Sequence, residues 1–387
     1  MNKNLKYVAQ NGMELDLDYK PDVLCEDITK LTNEEWLEYR RQGIGGSDYG
    51  IIYGISGFKT ARDVYMDKLG YTPFWEPESS WFTLEYGHAN EELVAKAFYD
   101  RTGYKPYAVR KMFRHPTYYW MIADVDYFVD IKDSEGKIRT YILEIKTTSY
   151  QNRSNWGDEY APQIPTGYVL QGRSYACVTN VSGIIYACLY DNNINSLIIR
   201  TLERDLDKEA ELIEAGRRFW QNHVEKGIAP AYVEVGTNVK NSAKKWISPA
   251  TTNTVLNIDG EDEVINGDII EGTYNDIFAR IDELTAQRKK LDQQKKDCDK
   301  EITRLQSIIE ANIGEERDCI IFLEERNKNV GISFNEKTSE SVPVDKIRNI
   351  KKLDKKLYDY LVSIGFIKVK HSKDIKFYDK SKEYANV

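Results

Sequence analysis

Tyr141-Ile-Leu-Glu-Ile-Lys-Thr147 is the stretch on which the reading of this chain turns. It closes a strand running from Arg139 to Lys146, with Ile142, Leu143 and Ile145 as its apolar members. Side chains alternate faces along a strand, so Glu144 and Lys146, two apart, point the same way. Upstream, Met121-Ile-Ala-Asp-Val-Asp126 leads into Tyr127-Phe-Val129, part of a strand expected from about Tyr118 to Phe128. Lys132-Asp-Ser-Glu-Gly-Lys137 between the two strands is a Gly-containing turn of the hairpin kind. The hairpin therefore brings Asp126 towards Glu144. Two carboxylates converging from paired strands hold a hard divalent cation, and an adjacent ammonium orients or deprotonates a water. That is equipment for metal-assisted phosphodiester cleavage. A half-buried hairpin with an ion pair on its wet face would read the same way, and Asp124 shares a strand face with Asp126.

Working outward, Met1 to Gly12 lacks the apolar run of a secretory signal and reads as a hairpin turning at Asn11-Gly12. Thr32 or Asn33 can cap a helix that ends near Arg41 and breaks at Gly43-Ile-Gly-Gly-Ser47. Further helices are predicted near Asp48 to Tyr53, Ala61 to Leu69, Asn90 to Thr102, Thr166 to Ala176 and Asp207 to Lys226. Strands are predicted from about Tyr107 to Phe113, and Gly183 to Leu189 with Ser196 to Leu202 as a hairpin. This order implies an α/β core with a mixed sheet.

The 387 residues allow about two domains of ordinary size. Hydrophobic residues at 41% supply a core, and no stretch approaches the roughly 20 apolar residues of a membrane span. The five cysteines are scattered without a C-x-x-C pair, so neither a zinc site nor a disulfide framework is indicated; the pattern argues against an iron–sulfur cluster and suits a reducing bacterial cytoplasm. The net charge of −8 argues against nucleic acid only on average. Between Asp345 and Glu383, 12 Lys or Arg stand against 6 Asp or Glu, a local basic excess. The 27 Tyr can stack on bases or reflect a compositional bias.

Several separated motifs resemble, in order, the YqaJ family of viral recombinases, relatives of the phage lambda exonuclease among the PD-(D/E)xK nucleases. Arg40-Arg-Gln-Gly-Ile-Gly-Gly-Ser47 with Ile55-Ser-Gly-Phe-Lys59 is similar to the family's N-terminal signature. Gly87-His-Ala-Asn-Glu91 resembles its helix-borne acidic motif. Ala123-Asp-Val-Asp126 and Leu143-Glu-Ile-Lys-Thr147 resemble the core, and Gln171-Gly-Arg-Ser-Tyr175 its Q-x-x-x-Y helix. The resemblance spans roughly Trp36 to Lys226 and implies a restriction-endonuclease-like core of mixed sheet and flanking helices. It implies a Mg²⁺-dependent 5′→3′ exonuclease, with Mn²⁺ able to substitute, resecting double-stranded DNA with free ends to 3′ tails for a single-strand annealing protein. An endonuclease on the same fold, or a DNA-binding assembly protein without catalysis, are the competing readings.

Residue by residue, the resemblance makes Asp126, Glu144 and the carbonyl of Ile145 metal ligands, with Glu91 a further ligand, direct or through water. Lys146 would position the attacking water and Gln171 the nucleophile or phosphate, with Tyr175 in support. Arg40 and Ser47 would bind a terminal 5′-phosphate. Arg173 stands where many relatives have Gln, so it adds a phosphate contact or alters packing. His88 falls three positions before Glu91 and is taken as structural or peripheral. For Arg40 alone, an ion pair with Glu35 or Glu38 on its own helix is the alternative; for Ser47, a helix cap.

The expected division is an N-terminal extension over 1–30, a nuclease domain over 31–230, a linker over 231–272, a coiled-coil helix over 273–314 and a basic α/β tail over 315–387. The helix carries a heptad, with Tyr274, Ile281, Ile302 and Ile309 at one seam position and Ile277, Leu284, Leu291, Cys298 and Leu305 at the other. Arg288 and Lys295 interrupt it, and either two chains pair there, as a homo-oligomer, or the helix folds back on its own domain. Strands are expected at Ile320 to Phe322, Val330 to Phe334 and Phe366 to Val369.

Overall fold

The computed structural model describes residues 6–71, 78–234, 236–246, 257–267, 269–313, 319–323, 328–332, 352, 354–364 and 366–367. They fall into two compact units, Met1–Val255 with Val264–Glu271, and Leu256–Glu263 with Gly272–Val387.

In the first unit, β1 (Lys6–Val8) and β2 (Glu14–Asp16) form the N-terminal hairpin, turning through Gly12 at φ +84°. β3 (Asp22–Cys25) precedes α1 (Asn33–Arg41), where Thr32 accepts from the Glu35 N–H and Glu35 caps Thr32 in return. α2 (Gly46–Ile52) and α3 (Ala61–Lys68) follow, the latter capped by Thr60. α4 (Glu78–Thr102) begins well before the expected Asn90. Then come β4 (Pro106–Tyr107), β5 (Met112–Arg114), β6 (Ile122–Asp124), β7 (Tyr127–Lys132) and β8 (Ile138–Thr147). The unit continues through α5 (Thr166–Thr179), β9 (Gly183–Leu189), β10 (Leu197–Glu203), α6 (Leu206–Phe219) and a π-helical turn Trp220–Val224.

Five strands make one mixed sheet in the order β10-β9-β8-β7-β4. β7 and β8 pair antiparallel with Tyr127 opposite Leu143, as the hairpin reading requires. Asp133 closes their turn by accepting from Glu135 and Lys137 N–H. β8 and β9 are parallel, and α5 lies in the crossover between them. One sheet face packs Ile142, Ile184 and Tyr186 against α5, which in turn packs on α6. The other packs Tyr141, Leu143 and Ile145 against Val94 and Phe98 of α4.

The single strand expected from Tyr118 to Phe128 is two strands. β6 joins β3 and β5 in a separate three-stranded sheet, while β7 joins β8. Asp126 occupies the break between them. The expected strand from Tyr107 to Phe113 is likewise split into β4 and β5, with Arg110 between them in the left-handed region at φ +59°. The Arg40–Ser47 loop is tied to β6 by backbone bonds from Ile44 N–H to Trp120 and from Ile122 N–H to Ile44. A Cβ at Gly43 would stand 2.7 Å from Ile122 Cγ2, so the approach requires glycine there.

The linker expectation fails over part of its length. α7 (Thr237–Trp246) is a helix of the first unit, and Ser242 hydrogen-bonds both Thr60 (3.1 Å) and Tyr232 (3.1 Å). Strands Glu263–Asn266 and Ile269–Thr273 follow. Val239, Ala243 and Trp246 keep a helical spacing, but the helix has only ten residues, shorter than the window over which such a period stands out.

In the second unit, α8 (Tyr274–Ile313) is one helix of 40 residues, about 60 Å long at 1.5 Å per residue. Cys319–Leu323 and Lys328–Ile332 pair antiparallel, which places the first two tail strands, although Ser333 and Phe334 lie outside the described residues. Helix Lys355–Ser363, capped by Asp354, is an element the sequence reading lacked. Phe366 and Ile367 form a bend where a strand was expected, and Lys368 and Val369 lie outside the described residues. Among the described residues no helix is long and apolar enough to cross a membrane.

Candidate active site

Glu144 points from β8 towards α5 because it shares a face with Ile142 and Lys146. Its side chain is buried, 4% exposed. Oε1 accepts from Lys146 Nζ at 2.8 Å and from Gln171 Nε2 at 2.8 Å. Oε2 is buried with no hydrogen-bond partner. Asp126 Oδ2 accepts from the Ile145 N–H at 2.8 Å, which fixes the carboxylate beside β8. Burial, and then the Asp126 charge, push Glu144 up to about 8, with Lys146 opposing. Burial also raises Asp126, against the Lys146 charge and the Ile145 N–H. Burial works against the charge on Lys146, but Glu144 and Asp126 hold it above its ordinary range. The ammonium sits 4.9 Å from the Tyr168 ring centroid, a cation–π contact the sequence reading did not single out.

Gln171 and Tyr175 are one helical turn apart on α5 and bond at 3.2 Å. A Cβ at Gly46 would lie 2.6 Å from Tyr175 Cε1 and 3.0 Å from the Gln171 carbonyl. α2 thus approaches α5 closely, bringing the Arg40–Ser47 loop beside the carboxylates. Arg40 Nη2 donates to Ser47 Oγ at 3.2 Å and lies 3.7 Å from Asp48. Its guanidinium lies 5.2 Å from the centroid of the Trp36 ring, whose Nε1 donates to Asp124 at 2.8 Å. Lys68 of α3 pairs with Asp48 at 2.8 Å and donates to the Arg40 carbonyl. Burial opposes the Asp48 charge, but Lys68 and Arg40 keep its carboxyl below the usual range. Arg40 is therefore engaged across the loop, with Ser47 and Asp48, where its own helix offered Glu35 and Glu38. Asp124 is turned to Trp36, which separates its role from that of Asp126.

Glu91 comes from α4, which packs on the opposite sheet face, and is near enough to Asp126 to feel its charge. Burial raises it, with the Asp126 charge adding and the His88 and Arg110 charges opposing. Burial raises Asp124 as it does Asp126, and the charge of Arg110, which lies over Tyr127 at 5.7 Å, opposes both shifts. Its placement follows from its left-handed backbone, for which the sequence carries no signal. Arg173 is not brought to the Arg40 group: two residues from Gln171 on a helix, it faces elsewhere and meets Asp205 at 3.4 Å.

Among the described residues no three His, Cys, Asp or Glu side chains come together as a cage for a metal. The pair Asp126 and Glu144 still fits a hard cation on its own chemistry. One Glu144 oxygen is buried without a partner, the Asp126 charge adds to burial in raising the Glu144 carboxyl, and positive charge would relieve that repulsion. Mg²⁺ keeps several waters and needs one or two carboxylates.

A mixed sheet with an Asp126–Glu144–Lys146 cluster at a strand break defines this as an α/β protein with a carboxylate-rich candidate site. The chain belongs to the YqaJ family: residues 35–182 match the YqaJ-like viral recombinase domain, and it is 31% identical over 278 residues to the uncharacterized protein YqaJ of Bacillus subtilis (strain 168), covering 71% of this chain and 80% of that one. Among solved structures it is similar to an alkaline exonuclease (LHK-Exo) from Laribacter hongkongensis, at 16% identity and TM-score 0.41 over 50% of this chain and 94% of that chain. A phage-related exonuclease from Haemophilus somnus 129PT gives 14% identity and TM-score 0.32 over 48% and 96% of the two chains.

Proposed function

We propose that the chain is a Mg²⁺-dependent deoxyribonuclease with a PD-(D/E)xK core, acting 5′→3′ on linear double-stranded DNA to leave 3′ single-stranded tails for annealing recombination. Membership of a viral recombinase family supports the recombination context. The observation that carries the chemistry is Glu144, held through one oxygen by Lys146 and Gln171 with the other oxygen unpartnered beside Asp126.

Asp126 and Glu144, with the Ile145 carbonyl and Glu91 in support, would hold the cation. When bound, such a cation neutralises phosphoryl charge and acidifies a water. Lys146, kept charged by two carboxylates, orients the water and stabilises charge on the phosphoryl oxygens as they become more negative. Gln171 locks Glu144 from the α5 side, so the carboxylate needs no rearrangement during the reaction. Arg40 and Ser47, braced by the buried Lys68 through Asp48 and the Arg40 carbonyl, present donors to a terminal 5′-phosphate. That group favours an exonuclease over an endonuclease.

The test compares linear DNA bearing 5′-phosphate or 5′-hydroxyl ends with closed circles, in Mg²⁺ and in EDTA. The reading requires Mg²⁺-dependent loss of the phosphorylated linear form with circles intact. Cutting of circles selects the endonuclease, and no cleavage of any form removes catalysis.

A further inference from the structure

α8 presents an apolar stripe to solvent. Ile281, Leu284, Leu291, Ile302, Leu305 and Ile309 are 41%, 47%, 64%, 52%, 47% and 44% exposed, although all fall on one heptad seam. An unbroken helix cannot fold on itself to cover them. The two cations that interrupt the seam, Arg288 and Lys295, determine which partner fits.

In a parallel, in-register pair each seam residue meets its own copy. Arg288 would face Arg288 and Lys295 would face Lys295, giving two like-charge layers in the middle of the interface. Antiparallel pairing sets the two seam positions against each other instead. Placing Ile281 against the partner's Leu305 fixes every other layer. Leu284 then meets the partner's Ile302, Ile277 meets the partner's Ile309, and two-fold symmetry about Gln293 repeats these apolar layers at the other end. Arg288 meets the partner's Cys298, and Lys295 lays its aliphatic stem along the partner's Leu291. Asp299 follows Cys298 and Asp292 follows Leu291, so each seam cation has a carboxylate of the opposite helix next to its layer. The stripe is complementary to its own reverse in charge as well as in apolar content.

We propose that α8 pairs antiparallel with α8 of a second copy of this chain in that register. The geometry is tested by disulfide trapping in the full-length protein carrying Cys319→Ser. The two copies of Cys298 are ten residues out of step along the pair, about 15 Å at the helical rise, beyond disulfide reach. Mild oxidation should therefore leave this protein uncrosslinked. Adding Arg288→Cys places a thiol opposite the partner's Cys298 and should give a covalent dimer, which Cys298→Ser then abolishes. Under reducing conditions, light scattering should give twice the chain mass, falling to the single-chain mass for Leu284→Asp with Leu305→Asp. A Cys298–Cys298 crosslink, a covalent dimer that still forms after Cys298→Ser, or a mass of one or three chains under reducing conditions would each overturn the proposal.

Discussion

At Glu144 one carboxylate oxygen is held by Lys146 and Gln171 while the other is buried without a partner, and the cost of that arrangement is visible in its pKa. Burial and Asp126 raise it from an ordinary 4.5 to about 8. Between those values the metal-free folded chain holds a proton that the unfolded chain has released, so its stability falls as pH rises through the window. A cation needs the ionised carboxylate, so its stabilising effect should grow across the same interval. The rise in Tm on adding Mg²⁺ should be larger at about pH 8.5 than at about pH 6, and Glu144→Gln should flatten the metal-free slope; an equal rise at both values would refute the assignment. Glu144→Gln, Asp126→Asn and Lys146→Ala should each lower cleavage by about 100-fold or more while DNA binding survives. Near-normal cleavage by Glu144→Gln would remove this site from consideration. Arg40 touches neither carboxylate of that pair. Arg40→Ala should erase the preference for 5′-phosphorylated ends and reduce cleavage at saturating DNA less than Lys146→Ala does, because it positions the substrate. A wild-type protein indifferent to the two kinds of end would sink this role.

Elements set these distances, and α2 packs closely on α5. A methyl group at Gly46 would collide with Tyr175 Cε1 at 2.6 Å and with the backbone carbonyl of Gln171 at 3.0 Å. Gly46→Ala should cost about 1–3 kcal/mol as α2 is pushed off α5. A drop in Tm together with a weaker preference for phosphorylated ends is the expected result; unchanged Tm would show that the helices yield freely. The β7–β8 hairpin was legible because its turn is polar and local and its strands alternate. The break at Asp126 was not, since Val125 and Tyr127 continue the apolar run and only the pairing of β6 with β5 and β7 with β8 separates the strands. The site residues on β8 and α5 followed from periodicity and resemblance, whereas Arg110 depends on a left-handed backbone and Lys68 on the packing of α3. α7 was missed for a different reason: Val239, Ala243 and Trp246 do keep a helical spacing, but over ten residues set among polar neighbours the period is too short to stand out.

Across the first unit, the residues after Pro230 bear on the site through α3. Ala61 N–H donates to Glu234 at 2.9 Å, Thr60 bonds Ser242 at 3.1 Å, and Arg62 reaches the Pro230 carbonyl at 3.0 Å while lying 4.1 Å over the Tyr232 ring. These contacts hold the N-terminal end of α3, and its other end carries Lys68, which pairs with Asp48 beside Arg40. Cutting the chain at Pro230 deletes the partners at the first end and so loosens the cation at the second. A fragment ending at Thr273 keeps these partners and the Asn266 contact to Arg62, and it lacks α8 altogether. It should therefore cleave phosphorylated linear DNA in Mg²⁺ as the full chain does, because Asp126, Glu144, Lys146 and Gln171 all lie within it. The shorter fragment should lose about 3 kcal/mol for its few partly buried bonds, a fall in Tm of roughly 6–12 °C for a unit of this size. Its preference for 5′-phosphate ends should weaken more than its cleavage at saturating DNA. Differential scanning calorimetry and the end-preference assay on both fragments decide this. Equal Tm values would show that α7 and the residues before it are dispensable to the first unit, and an inactive Thr273 fragment of normal Tm would place part of the chemistry beyond it.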